Sequence, residues 1–493
     1  MAISRRRFVA GSMLAAALGP RLAAGGERPA EAPPAGDLGY LSMGEAATLI
    51  RARTLSPVEL TQALLDRIER LDGNVRAFVT VTRGEALSAA RAAEREIAAG
   101  RYRGPLHGIP FGVKDTHYTK GIRTTANTPV LAEFVPDADA TVVARLKAAG
   151  GVLLGKMHLP EFSFGGASNG GLLPATNNPW DLSRTPGGSS SGSAAALAAG
   201  LLTVATGGDT SGSIRNPATF CGVVGMKPTY GRVSRHGIVV ISWSLDHVGP
   251  MSRTVADNAA LLNVLAGHDP LDETSAELPV PDYTKALARG VKGMRIGVPK
   301  AALFEGYHAD VLRAYADALA VFGRLGARVV EVDMPPTLDV IDEVQTIVRI
   351  AEAASYHEPF ITRHAEQYGR TNVRRDVEAG SLVTAVQYLR AQKVRARFQK
   401  EWLALFRTFD VFMTPGMPVP AGEPMDAVQQ PFRRVFNVCG FPALVQPCGF
   451  STRPAGLPIG LQIAAKPFDE ATIYAAAAAF ERETDWHTRR PAL

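Results

Sequence analysis

The stretch Thr185-Pro-Gly-Gly-Ser-Ser-Ser-Gly-Ser193, with Gly207-Gly-Asp-Thr-Ser-Gly-Ser-Ile-Arg215 after it, decides how this 493-residue sequence is interpreted. Glycine-rich loops expose backbone N–H groups, and serine supplies a hydroxyl that can act as a nucleophile or a proton relay. Composition alone would make both stretches flexible linkers. Both lie, however, inside an alternation of short apolar strands and helices, and loops on such a scaffold commonly carry catalytic groups.

A third segment, Pro110-Phe-Gly-Val-Lys-Asp115, places a lysine at the end of an apolar strand. An apolar setting favours the neutral form of lysine, which can then act as a base. Taken alone, Lys114 is more often a lysine that reaches solvent or pairs with an acidic residue. The segment by itself leaves both interpretations open.

The rest of the chain predicts an α/β fold in one large domain. Ser42-Met-Gly-Glu45 and Ser56-Pro-Val-Glu59 are capping boxes that predict the starts of two amphipathic helices. Short apolar strands and helices then alternate from about residue 105 onward, which is typical of α/β layers. Strands are predicted on both sides of residues 265–290, an acidic, proline-rich segment interpreted as a surface excursion.

The N-terminus resembles a twin-arginine export signal. Ser4-Arg-Arg-Arg-Phe-Val9 precedes an apolar run that is too short to span a bilayer. We therefore expect residues 1–24 to be a signal peptide that directs the folded protein to the periplasm, and residues 25–37 to be a linker. A disordered basic tail is the alternative interpretation.

The net charge of +6 would suggest a nucleic-acid or membrane partner. Residues 1–24 contain four arginines and no acidic residue, so their removal leaves a charge of +2. The three cysteines (Cys221, Cys439 and Cys448) form no CxxC pair, which excludes a disulfide framework and a cysteine zinc site.

Three other motifs suggest different chemistry, and each lacks a required feature. Gly188-Ser-Ser-Ser-Gly192 fits the G-x-S-x-G elbow with Ser190 as nucleophile, but no strand precedes it. The near P-loop Gly150-Gly-Val-Leu-Leu-Gly-Lys156 is followed by methionine instead of serine or threonine. His357-Glu358 and His364 lack the spacing of a zinc helix and are interpreted as a surface helix end.

Together, the lysine segment and the two serine-rich loops resemble the amidase signature family of serine hydrolases. The resemblance runs from about residue 42 to the C-terminus and includes Phe220-Cys-Gly222 and Gly456-Leu-Pro-Ile-Gly460. It implies the fold of that family, a single large mixed β-sheet covered by helices on both faces, over residues 38–493.

The resemblance also implies the site. Ser213 is the nucleophile, Ser189 follows an unusual cis peptide bond and relays a proton, and Lys114 is the neutral base that receives it. Ser190 and Arg215 are expected to support this relay by hydrogen bonding. The oxyanion hole and the substrate-binding loop map onto the backbone N–H groups of Thr210, Ser211, Gly212 and Ser213.

Two positions depart from the family pattern. Ser211 and Ser191 stand where glycine is commoner in the family. The backbone N–H of Ser211 is retained, so the departure concerns substrate clearance beside the nucleophile. The resemblance implies neither a metal ion nor a cofactor.

These observations favour an exported amidase that hydrolyses an aryl or alkyl amide, or a carbamate, to an acid and an amine or ammonia through an acyl-enzyme on Ser213. The expected partner is a small-molecule amide, without nucleic acid or stable membrane insertion, and a homodimer is left open.

The alternative is an amidotransferase A-type subunit that acts on misacylated tRNA with glutamine-derived ammonia. The export signal and the charge of +2 argue against it, because tRNA binding favours a basic surface. An exported binding protein without catalysis is disfavoured because Lys114, Ser189 and Ser213 are all present.

Overall fold

An 11-stranded mixed β-sheet organises the residues that the computed structural model describes, which are 35–165, 171–369, 372–425 and 428–493. Across the sheet the strands follow the order β1-β3-β2-β4-β6-β5-β10-β11-β9-β7-β8. Their bounds are β1 Phe78–Val81, β2 Pro110–Lys114, β3 Val152–Met157, β4 Val204–Asp209, β5 Val224–Lys227, β6 His247–Ser252, β7 Arg295–Pro299, β8 Arg328–Val332, β9 Val411–Pro415, β10 Ala443–Thr452 and β11 Ala455–Ala464.

Helices flank this sheet and connect its strands. Their bounds are α1 Met43–Ala52, α2 Pro57–Val75, α3 Arg83–Ala98, α4 Thr141–Ala148, α5 Ser191–Ala198, α6 Arg215–Cys221, α7 Val255–Leu265, α8 Ala309–Arg324, α9 Ile341–His364, α10 Asn372–Ser381, α11 Ala385–Leu405, α12 Val435–Cys439 and α13 Glu470–Arg482. Every residue of β2, β3, β5, β6 and β9 is buried, as expected for strands covered on both faces. The predicted single large mixed sheet covered by helices is confirmed.

The two predicted capping boxes are present. The hydroxyl of Ser42 accepts a hydrogen bond from the backbone N–H of Glu45, whose carboxylate accepts from the backbone N–H of Ser42 in return. The same exchange links Ser56 and Glu59 at the start of α2, where Pro57 occupies the first helical position. Local sequence therefore determines where these helices begin.

The lysine segment and the second serine loop leave the sheet at the same end of two neighbouring parallel strands. Strands β2 and β4 are parallel neighbours, with Phe111 opposite Val204, so Lys114 at the end of β2 and Asp209 at the end of β4 leave the sheet on the same side. Helix α5 begins two residues after Ser189, and α6 begins two residues after Ser213.

The segment 265–290 lies at the surface as predicted, since most of its residues are exposed or half-buried, and it is anchored by Tyr283, whose buried ring packs against Tyr474 of α13. A different prediction about surface position is wrong. His357 is not at an exposed helix end. It is buried in α9, where it is hydrogen-bonded to the hydroxyl of Tyr368 at 2.9 Å and packs edge-on against Phe162.

The predicted signal peptide 1–24 lies outside the described residues. Across the described ranges, none of the helices combines the length and the apolar character that crossing a bilayer requires.

Candidate active site

The predicted relay residues Lys114 and Ser189 lie in direct contact. Lys114 Nζ is hydrogen-bonded to Ser189 Oγ at 2.7 Å and lies 3.5 Å from the carbonyl oxygen of Gly208. The peptide bond between Gly188 and Ser189 is cis, as the family resemblance implies. Both side chains are buried, so proton exchange between them is shielded from bulk water.

The nucleophile candidate Ser213 is only half-buried. Its carbonyl oxygen accepts a hydrogen bond from the backbone N–H of Ser190 at 3.1 Å, which joins the two serine-rich loops. The hydroxyl of Ser190 in turn exchanges hydrogen bonds with the backbone of Gly208, at 3.2 Å and 3.1 Å. Ser190 therefore links the end of β4 to both serine-rich loops through hydrogen bonds.

Asp209 and Arg215 form the internal frame of the nucleophile loop. The Asp209 carboxylate accepts from Arg215 Nε at 3.0 Å and from the backbone N–H of Ile214 at 3.1 Å. Asn437 on α12 donates to the same carboxylate at 2.9 Å. Burial alone would raise the pKa of Asp209, but the Arg215 guanidinium and these donors lower it, so the carboxylate stays ionised.

The prediction that the backbone N–H of Gly212 is an oxyanion donor does not fit this frame. The backbone N–H of Gly212 donates to Asp209 Oδ1 at 2.8 Å instead of pointing at a substrate. Thr210, Ser211 and Ser213 line the cavity in front of the nucleophile, and their backbone N–H groups are the remaining candidates. Ser211 does not have a positive φ, so its Cβ is accommodated without strain in the loop.

The electrostatic setting of Lys114 suits a base. Burial lowers the pKa of Lys114 to about 7, against the opposing influence of Asp246 and Asp209. Asp246 is itself buried and accepts a hydrogen bond from the hydroxyl of Thr210 at 2.6 Å. A substantial fraction of Lys114 is therefore neutral near pH 7, the form that can accept a proton.

A cavity of about 450 Å³ opens in front of Ser213. Four arginines line it: Arg349, Arg375, Arg433 and Arg434. Asp376 is the acidic residue of the lining, and it is paired with Arg349 at 2.9 Å and with Arg375 at 3.1 Å. The positive charges exceed the negative charge, so the cavity favours an anionic substrate group.

Several residues of the site were not predicted from the sequence, namely Asp209, Asp246, Asn437 and the arginines of the cavity wall. Asp209 lies inside the second serine-rich loop motif, so its place at the strand end was the available signal. The others come from distant segments, and their positions depend on tertiary packing. Among the described residues, no group of three or more His, Cys, Asp or Glu side chains is placed to hold a metal ion.

Known proteins resemble this chain over nearly its whole length. The family model described as Amidase matches residues 59–474. The A-type subunit of the glutamyl-tRNA(Gln) amidotransferase from Geobacter sp. (strain M21) is 43% identical over 484 residues, which is 92% of this chain and 99% of that protein.

Solved structures of similar proteins have the same fold. The A-type subunit of the glutamyl-tRNA(Gln) amidotransferase from Thermotoga maritima has a TM-score of 0.77 and 34% identity, and the match covers 91% of this chain and 96% of that chain. The native peptide amidase from Stenotrophomonas maltophilia has a TM-score of 0.81 and 33% identity, with 92% of this chain and 98% of that chain covered.

These relatives overturn two expectations from the sequence. The expectation of a stand-alone amidase acting on a small amide is wrong, because the curated relatives that match at 42–43% identity are amidotransferase subunits. The expectation of a small-molecule partner without nucleic acid is wrong for the same reason, since the enzyme of those relatives is named for glutamyl-tRNA(Gln). The net charge of +2 did not exclude a tRNA partner, because one subunit of an assembly need not carry its basic surface.

The family itself is established by the model match over most of the chain and by the identity to full-length relatives. The chain therefore belongs to the amidase signature family and is an enzyme that acts on amide C–N bonds.

Proposed function

We propose that this chain is the amide-cleaving subunit of an amidotransferase of the glutamyl-tRNA(Gln) type, releasing ammonia from glutamine for the amidation of misacylated tRNA. The observation that carries this proposal is the 43% identity to an A-type subunit of such an enzyme, over 99% of the length of that subunit. Similarity of that extent covers the loops around the site as well as the sheet beneath them.

The geometry of the relay supports the amide-cleaving step. Ser213 Oγ attacks the side-chain amide carbon of glutamine while its proton passes to Ser189 Oγ, and the Ser189 proton passes to neutral Lys114. Thr210, Ser211 and Ser213 line the cavity, and their backbone N–H groups are the proposed donors to the negative oxygen that forms.

Collapse of the tetrahedral intermediate breaks the C–N bond. The proton returns from Lys114 through Ser189 to the leaving nitrogen, which departs as ammonia and leaves a γ-glutamyl ester on Ser213. Water then attacks the ester under the same base, which yields glutamate and regenerates the serine. Lys114 must therefore lose and regain its proton in each turnover.

The cavity supports glutamine as the amide. Glutamine carries an α-carboxylate in addition to its scissile amide, and four arginines line the same cavity as Ser213. Arginine binds carboxylates through paired N–H donors.

We propose that a companion subunit provides most of the contact with tRNA. Without residues 1–24 the net charge of the chain is only +2. Tight tRNA binding relies on many contacts between basic side chains and phosphates. The companion subunit would then carry the basic surface, and this chain would supply ammonia.

The test combines the purified chain with the companion subunits of a related amidotransferase and with tRNA(Gln) that carries glutamate. We expect glutamine-dependent formation of glutaminyl-tRNA, measured by chromatography of the released aminoacyl group, and its loss in Ser213→Ala. Efficient hydrolysis of simple aryl amides by the chain alone, without any glutamine-dependent amidation in the assembly, would contradict the proposal.

The export signal predicted for residues 1–24 and the domain boundaries 25–37 and 38–493 remain predictions. Export would remove the chain from cytosolic tRNA, so its location bears directly on the proposed function.

A further inference from the structure

A buried glutamine on α9 contacts the loop of the nucleophile. Gln345 is completely buried, and its Nε2 donates to Ser211 Oγ at 2.6 Å. The two residues are 134 positions apart in the sequence. The other polar side-chain atom of this amide, Oε1, is buried without a hydrogen-bond partner among the described residues. The amide is therefore held in place mainly by its bond to Ser211.

This contact determines the orientation of the Ser211 hydroxyl. Because Oγ accepts the hydrogen bond from Gln345, the hydroxyl hydrogen is available for a second acceptor. Ser211 is half-buried and lines the same cavity as Ser213, two residues along the loop. A substrate in that cavity can supply such an acceptor.

The charged surroundings indicate which acceptor it is. Arg349 lies one helical turn beyond Gln345 on α9, so the two side chains lie on the same side of the helix. Arg349 also lines the cavity, and Arg375, Arg433 and Arg434 complete its positive wall. A neutral hydroxyl donor beside guanidinium groups suits a carboxylate, which accepts several hydrogen bonds at once.

We propose that Ser211, oriented by Gln345, binds the carboxylate of the substrate's acyl group and so selects amides whose acyl group is anionic. The inference rests on the proposed function, because glutamine is such an amide, and it goes further by assigning selectivity to one hydroxyl and the buried amide that orients it. Gln345 is a positioning residue, since it acts through Ser211.

Two chromogenic esters test the inference without glutamine or tRNA. p-Nitrophenyl butyrate and p-nitrophenyl hydrogen glutarate share a leaving group, and the glutarate ester additionally carries a carboxylate at the end of its acyl chain. The measured quantity is the ratio of kcat/KM for the glutarate ester to kcat/KM for the butyrate ester. This ratio cancels any loss of catalytic power that is common to both esters.

We expect Ser211→Ala to lower this ratio about tenfold, chiefly through a higher KM for the glutarate ester, because a hydrogen bond to a charged acceptor is worth at least about that factor. Gln345→Met, which keeps the side-chain volume, should lower the ratio in the same direction. Ser191→Ala is the matched control. Its hydroxyl lies in the neighbouring serine loop, 3.4 Å from the carbonyl oxygen of His158, and it does not line the cavity.

An unchanged ratio in Ser211→Ala, with both esters slowed equally, would overturn the inference and assign the hydroxyl a purely structural role. A fall in Ser211→Ala without any fall in Gln345→Met would overturn the orienting role of Gln345. A lowered ester ratio in a protein that never uses glutamine would refute the proposed function alone, and glutamine use with an unchanged ratio would refute only this inference.

Discussion

The chemistry at the scale of single residues depends on whether Lys114 is neutral. Burial lowers its pKa to about 7, and in the proposed relay only the neutral amine can accept a proton from Ser189. Deprotonation increases as the pH rises, so activity should increase in the same direction. We expect kcat/KM for glutamine to rise as the pH passes through about 7 and to level off above it, measured as ammonia release between about pH 5.5 and 9.

Lys114→Ala is the control for this pH profile. The variant should lose the rising limb, and its amide turnover should fall by about 10²–10⁴-fold. p-Nitrophenyl esters should suffer less, because their leaving group needs no proton. A rising limb near pH 7 that survives in Lys114→Ala would show that another group is the base.

Packing between elements holds the first serine loop against the sheet. The backbone N–H of Gly192 in α5 donates to the carbonyl oxygen of His158, just after β3, at 2.9 Å. A Cβ at residue 192 would overlap the backbone oxygen of Ala77 and the backbone nitrogen of His158. We expect Gly192→Ala to reduce the free energy of unfolding by about 1–3 kcal/mol, measured by urea denaturation, and to lower the activity because Ser189 moves with α5.

Gly73→Ala serves as the matched control for that substitution. Gly73 is exposed in α2, no atom lies within 4 Å of the Cβ it would gain, and its φ is not positive. Alanine favours helix more than glycine does, so this variant should be up to about 1 kcal/mol more stable than the parent. Equal destabilisation by both substitutions would argue against the overlap at Gly192.

Elements were predictable where their determinants are local. The capping boxes at Ser42 and Ser56 identified the starts of α1 and α2. Strands β6 and β10 are harder to predict from the sequence, because they contain Pro250 and Pro447 and proline argues against a central strand. Their neighbours in the sheet compensate for this: β6 lies between β4 and β5, and β10 changes register between Pro447 and Gly449 where it pairs with β11.

At the scale of the whole molecule, location decides which substrates the chain can meet. The twin-arginine signal predicted at Ser4–Val9 would place the folded protein in the periplasm. If the signal is functional, cell fractionation with an epitope-tagged full chain will find the protein in the periplasm, and Arg5→Lys combined with Arg6→Lys will retain it in the cytoplasm; the proposed role in tRNA amidation instead requires a cytoplasmic wild-type chain. A cytoplasmic wild-type chain would contradict the export prediction, whereas a periplasmic one would contradict the role in tRNA amidation.

The sequence by itself determined the family and the α/β class, because these follow from motifs and patterns that act over a few residues. The catalytic roles of Lys114, Ser189 and Ser213 stay predictions from the same motifs. The sequence did not separate an amidase from a subunit of an amidotransferase, since both use the same loops for the same bond.

Only the tertiary structure decided that the N–H of Gly212 donates to Asp209, that Gln345 donates to the hydroxyl of Ser211, and that arginines from α9, α10 and the segment before α12 meet in one cavity. The reason is physical: these contacts join segments far apart in the chain, and their geometry exists only once the sheet has formed and the helices have packed on it.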